Sequence, residues 1–104
     1  MARNPNKTLL NEGFDQQTID AVWAKGKIVQ GYDPATYRQD ACSTWMKKSD
    51  YGNTDSQYGW EIDHIVPVSK NGSDDIANLQ PLHWRNNRGK GDDYPNWTCT
   101  LGSK

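Results

Sequence analysis

The sequence predicts a small single domain of the α+β class, and three observations support this. The chain has 104 residues, which suits one domain with a modest core. A stretch near the N-terminus repeats apolar residues with a helical period, and a later stretch is rich in β-branched residues. Only 34% of the residues are hydrophobic, but five Trp, five Tyr and one Phe can bury a large area each. A small aromatic core can therefore hold both kinds of element.

The N-terminal part predicts a loose segment followed by a helix. Residues 1–13 are polar, and we expect them to be flexible, with the domain spanning residues 14–104. Asp15 is a favourable N-cap, and the apolar residues that follow share one face of a helix of about three turns. Gly26 is expected to end this helix. The residues of the apolar face are Ile19, Val22 and Trp23.

The next part of the chain, residues 27–59, has no clean periodicity. We expect short strand-like pieces and turns there, and a loop over residues 49–59, which are rich in Gly, Asn, Asp and Ser.

A strand, a long loop, a short strand and a helix are predicted from Trp60 onwards. β-branched residues favour a strand that begins at Trp60 and ends near Pro67. Asn71 and Gly72 predict a turn, and a single helical turn is expected to follow. The second extended piece covers residues 78–82, and the helix covers residues 83–90. Glu61 lies in the first strand and is expected at the surface.

Two alternatives exist for the polar face of this last helix. His83 and Asn87 are four residues apart, so they share one face. That face is either solvated, or it faces Asp63 and His64 of the first strand across a metal. Burying it without partners would be costly.

Residues 60–92 resemble the HNH endonuclease motif, also called the ββα-metal motif or His-Me finger. Asp-His on the first strand, Asn in the loop, and Asn followed by Arg-Gly-Lys in the helix carry the resemblance, within IDHIVPVSKNGSDDIANLQPLHWRNNRGKGD. The resemblance places Asn87 at the third of the three positions that give the HNH motif its name, and it therefore implies an HNN variant of the motif. The resemblance implies a ββα-metal fold and metal-dependent hydrolysis of DNA that leaves a 5′-phosphate and a 3′-hydroxyl. RNA stays an alternative substrate.

The resemblance also implies a role for each matching residue. His64 is expected to be the general base, and Asn78 to hold the loop and orient the imidazole. Asp63 and Asn87 are expected to bind one divalent metal ion, Mg²⁺ or Mn²⁺, with Ni²⁺ or Zn²⁺ as alternatives. Contacts with phosphate are expected from three cationic side chains of the helix, Arg85, Arg88 and Lys90.

These residue types suit phosphodiester hydrolysis. An imidazole changes charge near neutral pH and can take a proton from water. A hard divalent cation with oxygen ligands relieves charge at phosphorus and on the departing oxygen. Adjacent residues of a strand point to opposite faces, however, so the strand must bend or end near Asp63 and His64 for both to reach one site.

The chain departs from many HNH proteins at two positions. His83 and Asn86 occupy places where those proteins carry a cysteine pair that binds structural zinc, so no structural zinc is expected. His83 could then be a third metal ligand, a phosphate contact or a hydrogen-bonding residue at the helix start. We favour the structural role. Packing by aromatic and aliphatic residues is expected to stabilise the helix instead.

Composition restricts the remaining possibilities. The net charge of -1 and the pI of about 6.0 give no indication of a nucleic-acid partner. The alternative function is a nucleic-acid-binding or metal-stabilised module that needs a partner for catalysis. Cys42 and Cys99 form neither a disulfide framework nor a CxxC pair, and free thiols in a reducing compartment are favoured over a single bridge. Without an apolar run long enough for a membrane span or a secretory signal, we expect no membrane partner and a cytoplasmic protein.

Overall fold

Two small antiparallel sheets and two helices form the protein in the computed structural model, which describes residues 5–104. The first sheet pairs β1 with β2, and the second pairs β3 with β4. The predicted α+β class is confirmed. In chain order the elements are α1 (Gln16–Trp23), β1 (Tyr37–Gln39), β2 (Trp45–Lys47), β3 (Trp60–His64), β4 (Leu79–His83) and α2 (Trp84–Lys90), with 3₁₀ turns at Lys48–Asp50, Val68–Lys70 and Ile76–Asn78.

Helix α1 begins where the sequence predicts. The Asp15 carboxylate accepts a hydrogen bond from the Thr18 amide at 2.8 Å, which caps the first turn. The three apolar residues of the predicted face are buried. The helix has eight residues, which is shorter than expected, because its last turn tightens before Gly26: the Gly26 amide bonds the Trp23 carbonyl three residues earlier.

The hydrophobic core lies between α1 and the second sheet. Trp60 is fully buried, and its ring centroid is 5.1 Å from that of Trp23. Aromatic packing of this kind compensates for the low aliphatic content. The remaining members of the core are Ile19, Val22, Met46, Ile62 and Leu79.

The second sheet and α2 form a ββα unit. The β3–β4 register runs from Trp60 opposite His83 to His64 opposite Leu79. Strand β3 thus ends at His64, three residues before Pro67, and a long loop over residues 65–78 returns the chain to β4. His83 is both the last residue of β4 and the N-cap of α2, so the helix turns back directly onto the sheet.

The two cysteines form a disulfide, so the expectation of free thiols is wrong. Cys42 and Cys99 are joined across 57 residues. The tail beyond Cys99 is also hydrogen-bonded to the domain: the Ser103 amide bonds the Cys42 carbonyl, and Thr44 bonds the Leu101 carbonyl. Disulfides persist mainly in oxidising environments. The expectation of a reducing compartment therefore loses this support, and cytoplasmic localisation stays a prediction.

The described part of the N-terminal segment contacts the ββα unit. The Asn6 side-chain oxygen accepts hydrogen bonds from the Ile62 amide at 2.9 Å and the Tyr51 hydroxyl at 2.7 Å. Burial raises the pKa of this hydroxyl to about 12. Flexibility of residues 1–13 stays a prediction, and residues 1–4 of that segment lie outside the described residues. No helix within residues 5–104 has the length and hydropathy needed to cross a membrane.

Candidate active site

Strand β3 places two carboxylates against α2. Glu61 and Asp63 are two residues apart, so they share a face of the strand, and both are almost fully buried. Arg88 binds Glu61 with two nitrogens at 3.1 and 2.8 Å, and this pairing raises the pKa of the guanidinium. Asn87 donates to the same carboxylate at 3.0 Å. The expectation that Glu61 lies at the surface is therefore wrong.

Asp63 forms the second carboxylate–cation pair of this interface. Lys90 Nζ lies 3.3 Å from each carboxylate oxygen, and both side chains are 1% exposed. Gln80 of β4 donates to Oδ2 of Asp63 at 2.9 Å. Lys90 also donates to the His64 carbonyl oxygen at 3.1 Å. A single ammonium therefore connects α2 to both residues at the end of β3.

His64 faces away from this interface. Its side chain is 11% exposed, and its Nε2 lies 2.8 Å from Oδ1 of Asp74. The ring centroid is 6.0 Å from that of Phe14. Because β3 ends at His64, the chain turns here and the imidazole lies beside the long loop.

Asp63 and His64 nevertheless line one cleft, which the sequence prediction requires. The cleft has a volume of about 230 Å³, and its walls come from the end of β3, the start of the long loop, the N-terminal segment and the end of α2. Asp92, directly after α2, also lines it. Residues that carry a carboxylate and an imidazole thus border one open cavity, and they form a candidate active site.

Asn78 holds the long loop closed. Its side-chain oxygen accepts from the Val66 amide at 2.8 Å. Its side-chain nitrogen donates to the carbonyls of Val66 at 3.1 Å and Ser73 at 2.9 Å. Gly72 completes the closure, since a Cβ atom there would lie only 1.6 Å from the Val66 carbonyl oxygen. The contacts of the Asn78 side chain are thus with the loop backbone, and its effect on His64 must pass through that loop.

His83 caps α2. Its Nδ1 accepts from the Arg85 amide at 3.1 Å, and its Nε2 lies 2.8 Å from the Gln57 carbonyl oxygen. Burial lowers the pKa of His83. Both ring nitrogens are engaged in structural contacts, and His83 is not among the residues that line the cleft. The structure thus places His83 in the structural position that the sequence favoured.

Asn86 belongs to a buried hydrogen-bond network centred on Asp40. Asp40 accepts from the amides of Cys42, Thr44 and His83 and from the Asn86 side chain, all at 2.9–3.0 Å. Asn86 in turn accepts from the Leu101 amide at 2.7 Å. Hydrogen bonds therefore hold the region around His83 and Asn86, for which no structural zinc was expected.

The three cationic side chains of α2 are not equivalent. Arg85 is exposed and lies over the Trp84 ring at 5.0 Å. Arg88 is 47% exposed while it pairs with Glu61. Lys90 is buried in its pair with Asp63, so in this structure it does not present its charge to a phosphate, contrary to the sequence prediction. Its ammonium is instead part of the support beneath the candidate site.

The donor atoms of Asp63 and Asn87 suit a hard divalent cation by their chemistry, but Asn87 is fully buried, donates to Glu61 and is not among the residues that line the cleft. A carboxylate oxygen and an amide oxygen are the ligands that Mg²⁺ and Mn²⁺ prefer. A cation at Asp63 would share that carboxylate with Lys90. Among residues 5–104, no group of three or more His, Cys, Asp or Glu side chains is arranged to hold a metal ion. Water and phosphate oxygens would therefore have to complete the coordination.

Sequence reasoning missed several residues that support the site. The spacing of Glu61 from Asp63 could have placed both on one face, since the period of a strand is two. Gln80 is opposite Asp63 in the register, but no register was predictable from the sequence. Nothing in the local pattern around Asp74 points to His64, which lies ten residues earlier in the chain.

The comparison with protein families agrees with this geometry. A family model described as HNH endonuclease matches residues 47–93. Neither the curated proteins nor the solved structures contain a match to the chain. The matched residues include β3, β4 and α2 together with the loop between the strands. On this evidence the segment from residue 47 to residue 93 is similar to the HNH endonuclease family.

Proposed function

We propose that this protein is a metal-dependent endonuclease that hydrolyses DNA phosphodiester bonds and leaves a 5′-phosphate and a 3′-hydroxyl. One observation carries the proposal: Asp63 and His64, adjacent at the end of β3, line the same open cleft although their side chains have different partners. The match of residues 47–93 to the HNH endonuclease family model supports nuclease activity and DNA as the substrate.

His64 acts as the general base in this proposal. A water molecule loses a proton to the imidazole as its oxygen forms a bond to phosphorus; the bond from phosphorus to the 3′ oxygen breaks, and the departing oxygen takes a proton from solvent water to become the 3′-hydroxyl. Asp63 and Asn87 would hold the divalent cation, which would supply Lewis-acid stabilisation of charge on the phosphate and on the departing oxygen. Arg85 and the exposed part of Arg88 provide contacts with neighbouring phosphates.

Cleavage of a supercoiled plasmid with Mg²⁺ or Mn²⁺ tests the proposal. The His64→Ala variant should cleave about 10²- to 10⁴-fold more slowly than the wild type, which is the usual contribution of a general base. The matched control is His83→Asn, which replaces the other histidine by a favourable N-cap residue and should retain activity. Equal cleavage by wild type and His64→Ala would remove His64 from the role of base. The same cleavage assay with a single-stranded RNA decides whether DNA or RNA is the substrate.

The second candidate is a nucleic-acid-binding or metal-stabilised module that lacks catalysis of its own. The pairing of Asp63 with buried Lys90 favours it, because the carboxylate already has a cation. Thermal unfolding with and without Mn²⁺ separates the two. A metal-dependent rise in Tm that disappears in Asp63→Asn, without cleavage of any substrate, would support the module. Cleavage by the isolated chain that requires the metal would exclude it.

A further inference from the structure

A chain of hydrogen bonds connects the N-terminal segment to His64 through Asp74. Asp74 Oδ1 lies 2.8 Å from His64 Nε2. The Leu9 amide donates to both oxygens of the same carboxylate, at 3.2 Å to Oδ1 and 3.1 Å to Oδ2. The carboxylate is thus held on one side by backbone and on the other by the imidazole.

The long loop also holds Asp74 in place. The side chain of Asn78 binds the carbonyl of Ser73, the residue before Asp74, and both backbone groups of Val66. These bonds close the loop over residues 65–78 and bring Asp74 next to the end of β3. Asn78 therefore acts on His64 through Ser73 and Asp74.

We infer that Asp74 is a positioning residue that accepts a hydrogen bond from the Nε2–H of His64 and so presents Nδ1 to the cleft. This inference rests on the proposed function of His64 as the base. A neutral imidazole carries one N–H and one lone pair. With the proton held at Nε2 by a carboxylate, the lone pair is at Nδ1, where it can take a proton from water. The negative charge of Asp74 also stabilises the imidazolium that forms, without itself taking the proton.

The tautomer of His64 is the direct test, and it does not depend on activity. The chain has two histidines, so two-bond ¹H–¹⁵N NMR spectra resolve both rings, and His64→Ala identifies the signals of His64. The neutral ring should be the Nε2–H tautomer in the wild type and in Asp75→Asn. Asp75 is the matched control, because it is the exposed neighbouring acid and its side chain makes no cap hydrogen bond. In Asp74→Ala the ring should become a mixture of tautomers.

Steady-state cleavage is the second test. Asp74→Ala should lower kcat by about 10- to 100-fold, the usual cost of losing a residue that orients a functional group, with KM little changed. Asp74→Asn keeps an acceptor oxygen and should lie between Asp74→Ala and the wild type. In a His64→Ala background, Asp74→Ala should cause no further loss, because its effect passes through the imidazole.

The backbone donor can be removed separately. Leu9 follows Thr8 in a turn closed by the Asn11 amide on the Thr8 carbonyl at 2.9 Å, a position that accepts proline. Leu9→Pro removes the N–H that holds Asp74, whereas Leu9→Ala keeps it. Leu9→Pro should lower kcat by less than Asp74→Ala does but by more than Leu9→Ala does, because only the proline removes the N–H that binds Asp74.

An unchanged Nε2–H tautomer in Asp74→Ala would overturn the inference, and so would cleavage by this variant at the rate of Asp75→Asn. A loss from Asp74→Ala that adds in full to that of His64→Ala would also overturn it. If His64→Ala cleaves like the wild type, the proposed function fails instead, and the tautomer measurement still decides whether Asp74 positions the ring.

Discussion

Asp63 and His64 are neighbours in the chain, but their surroundings differ. Asp63 lies in a closed interface, where Lys90 and Gln80 bind its carboxylate and 1% of the side chain is exposed. His64 lies at the open side, where Asp74 binds one ring nitrogen and the ring lines the cleft. The alternation of a strand separates the two side chains, and the end of the strand allows both to reach one cavity. A buried, paired carboxylate and an imidazole beside the cleft therefore come from consecutive residues.

The largest expected effect on stability comes from breaking the buried Asp63–Lys90 pair. Lys90→Met removes the ammonium that pairs with buried Asp63, so we expect a loss of about 3–5 kcal/mol in the free energy of unfolding, measured by urea denaturation. Arg88→Met is the matched control, because the partly exposed Arg88 pairs with Glu61 on the same interface. It should lose less, since solvent already screens that pair. Equal losses would show that the two carboxylate pairs are not distinguished by burial.

Removing the disulfide should destabilise the whole domain without changing the contacts on either side of the comparison. The double variant Cys42→Ser, Cys99→Ser removes the bridge between two residues that are 57 positions apart. We expect a loss of about 2–4 kcal/mol in the free energy of unfolding, because the unfolded chain gains conformational freedom. The tautomer of His64 in the folded variant should be unchanged, since the bridge touches neither side of β3's end. A wild-type protein treated with dithiothreitol should show the same loss of stability. Unchanged stability after reduction would contradict this.

The open side can be disturbed through the loop alone. Gly72→Ala places a Cβ atom against the Val66 carbonyl oxygen, and overpacking of this kind costs about 1–3 kcal/mol. We expect that loss in chemical denaturation, together with weaker protection of the Val66 amide in hydrogen exchange. Gly13→Ala is the control, because nothing lies within 4 Å of a Cβ atom there. A Gly72→Ala protein as stable as Gly13→Ala would mean that the loop can move away.

The smallest effect concerns the second histidine, which lies outside the cleft. Burial lowers the pKa of His83 below its ordinary value of 6.5. The unfolded chain therefore binds a proton at a higher pH than the folded chain, so stability contributed by neutral His83 is present above pH 6.5 and decreases as the pH falls below that value. Denaturation at pH 7.5 and pH 5.5 should show a larger decrease for the wild type than for His83→Asn. An identical decrease in both proteins would contradict this.

Local sequence patterns predicted the elements well. The N-cap at Asp15 and the apolar face of α1 follow from helix periodicity and capping chemistry, which act within a few residues. The strand from Trp60, the loop that follows and the helix up to Lys90 were also predictable from β-branched residues and turn signals. Their order alone identified the ββα unit, and the HNH resemblance of residues 60–92 followed from the same segment.

Contacts between distant parts of the chain were not predictable. The Cys42–Cys99 bridge depends on where the C-terminal tail lies, and spacing alone does not determine that. Lys90 was expected to contact phosphate, but the way α2 packs on β3 turns its ammonium towards Asp63. Glu61 was expected at the surface, but it is buried against α2. The sequence of a single strand does not show which of its faces another element will cover.

The sequence by itself determined which chemistry is available: an Asp-His pair at a strand end, amide residues in the loop and helix, and cations along α2. These follow from residue types and short spacings. Only the tertiary structure decided which of these groups are exposed and which are paired. Asp74 reaches His64 because a closed loop folds back beside β3, and Lys90 reaches Asp63 because helix and strand pack together. Partners separated by 10 to 27 residues meet only when the chain has folded, since local propensity carries no information about them.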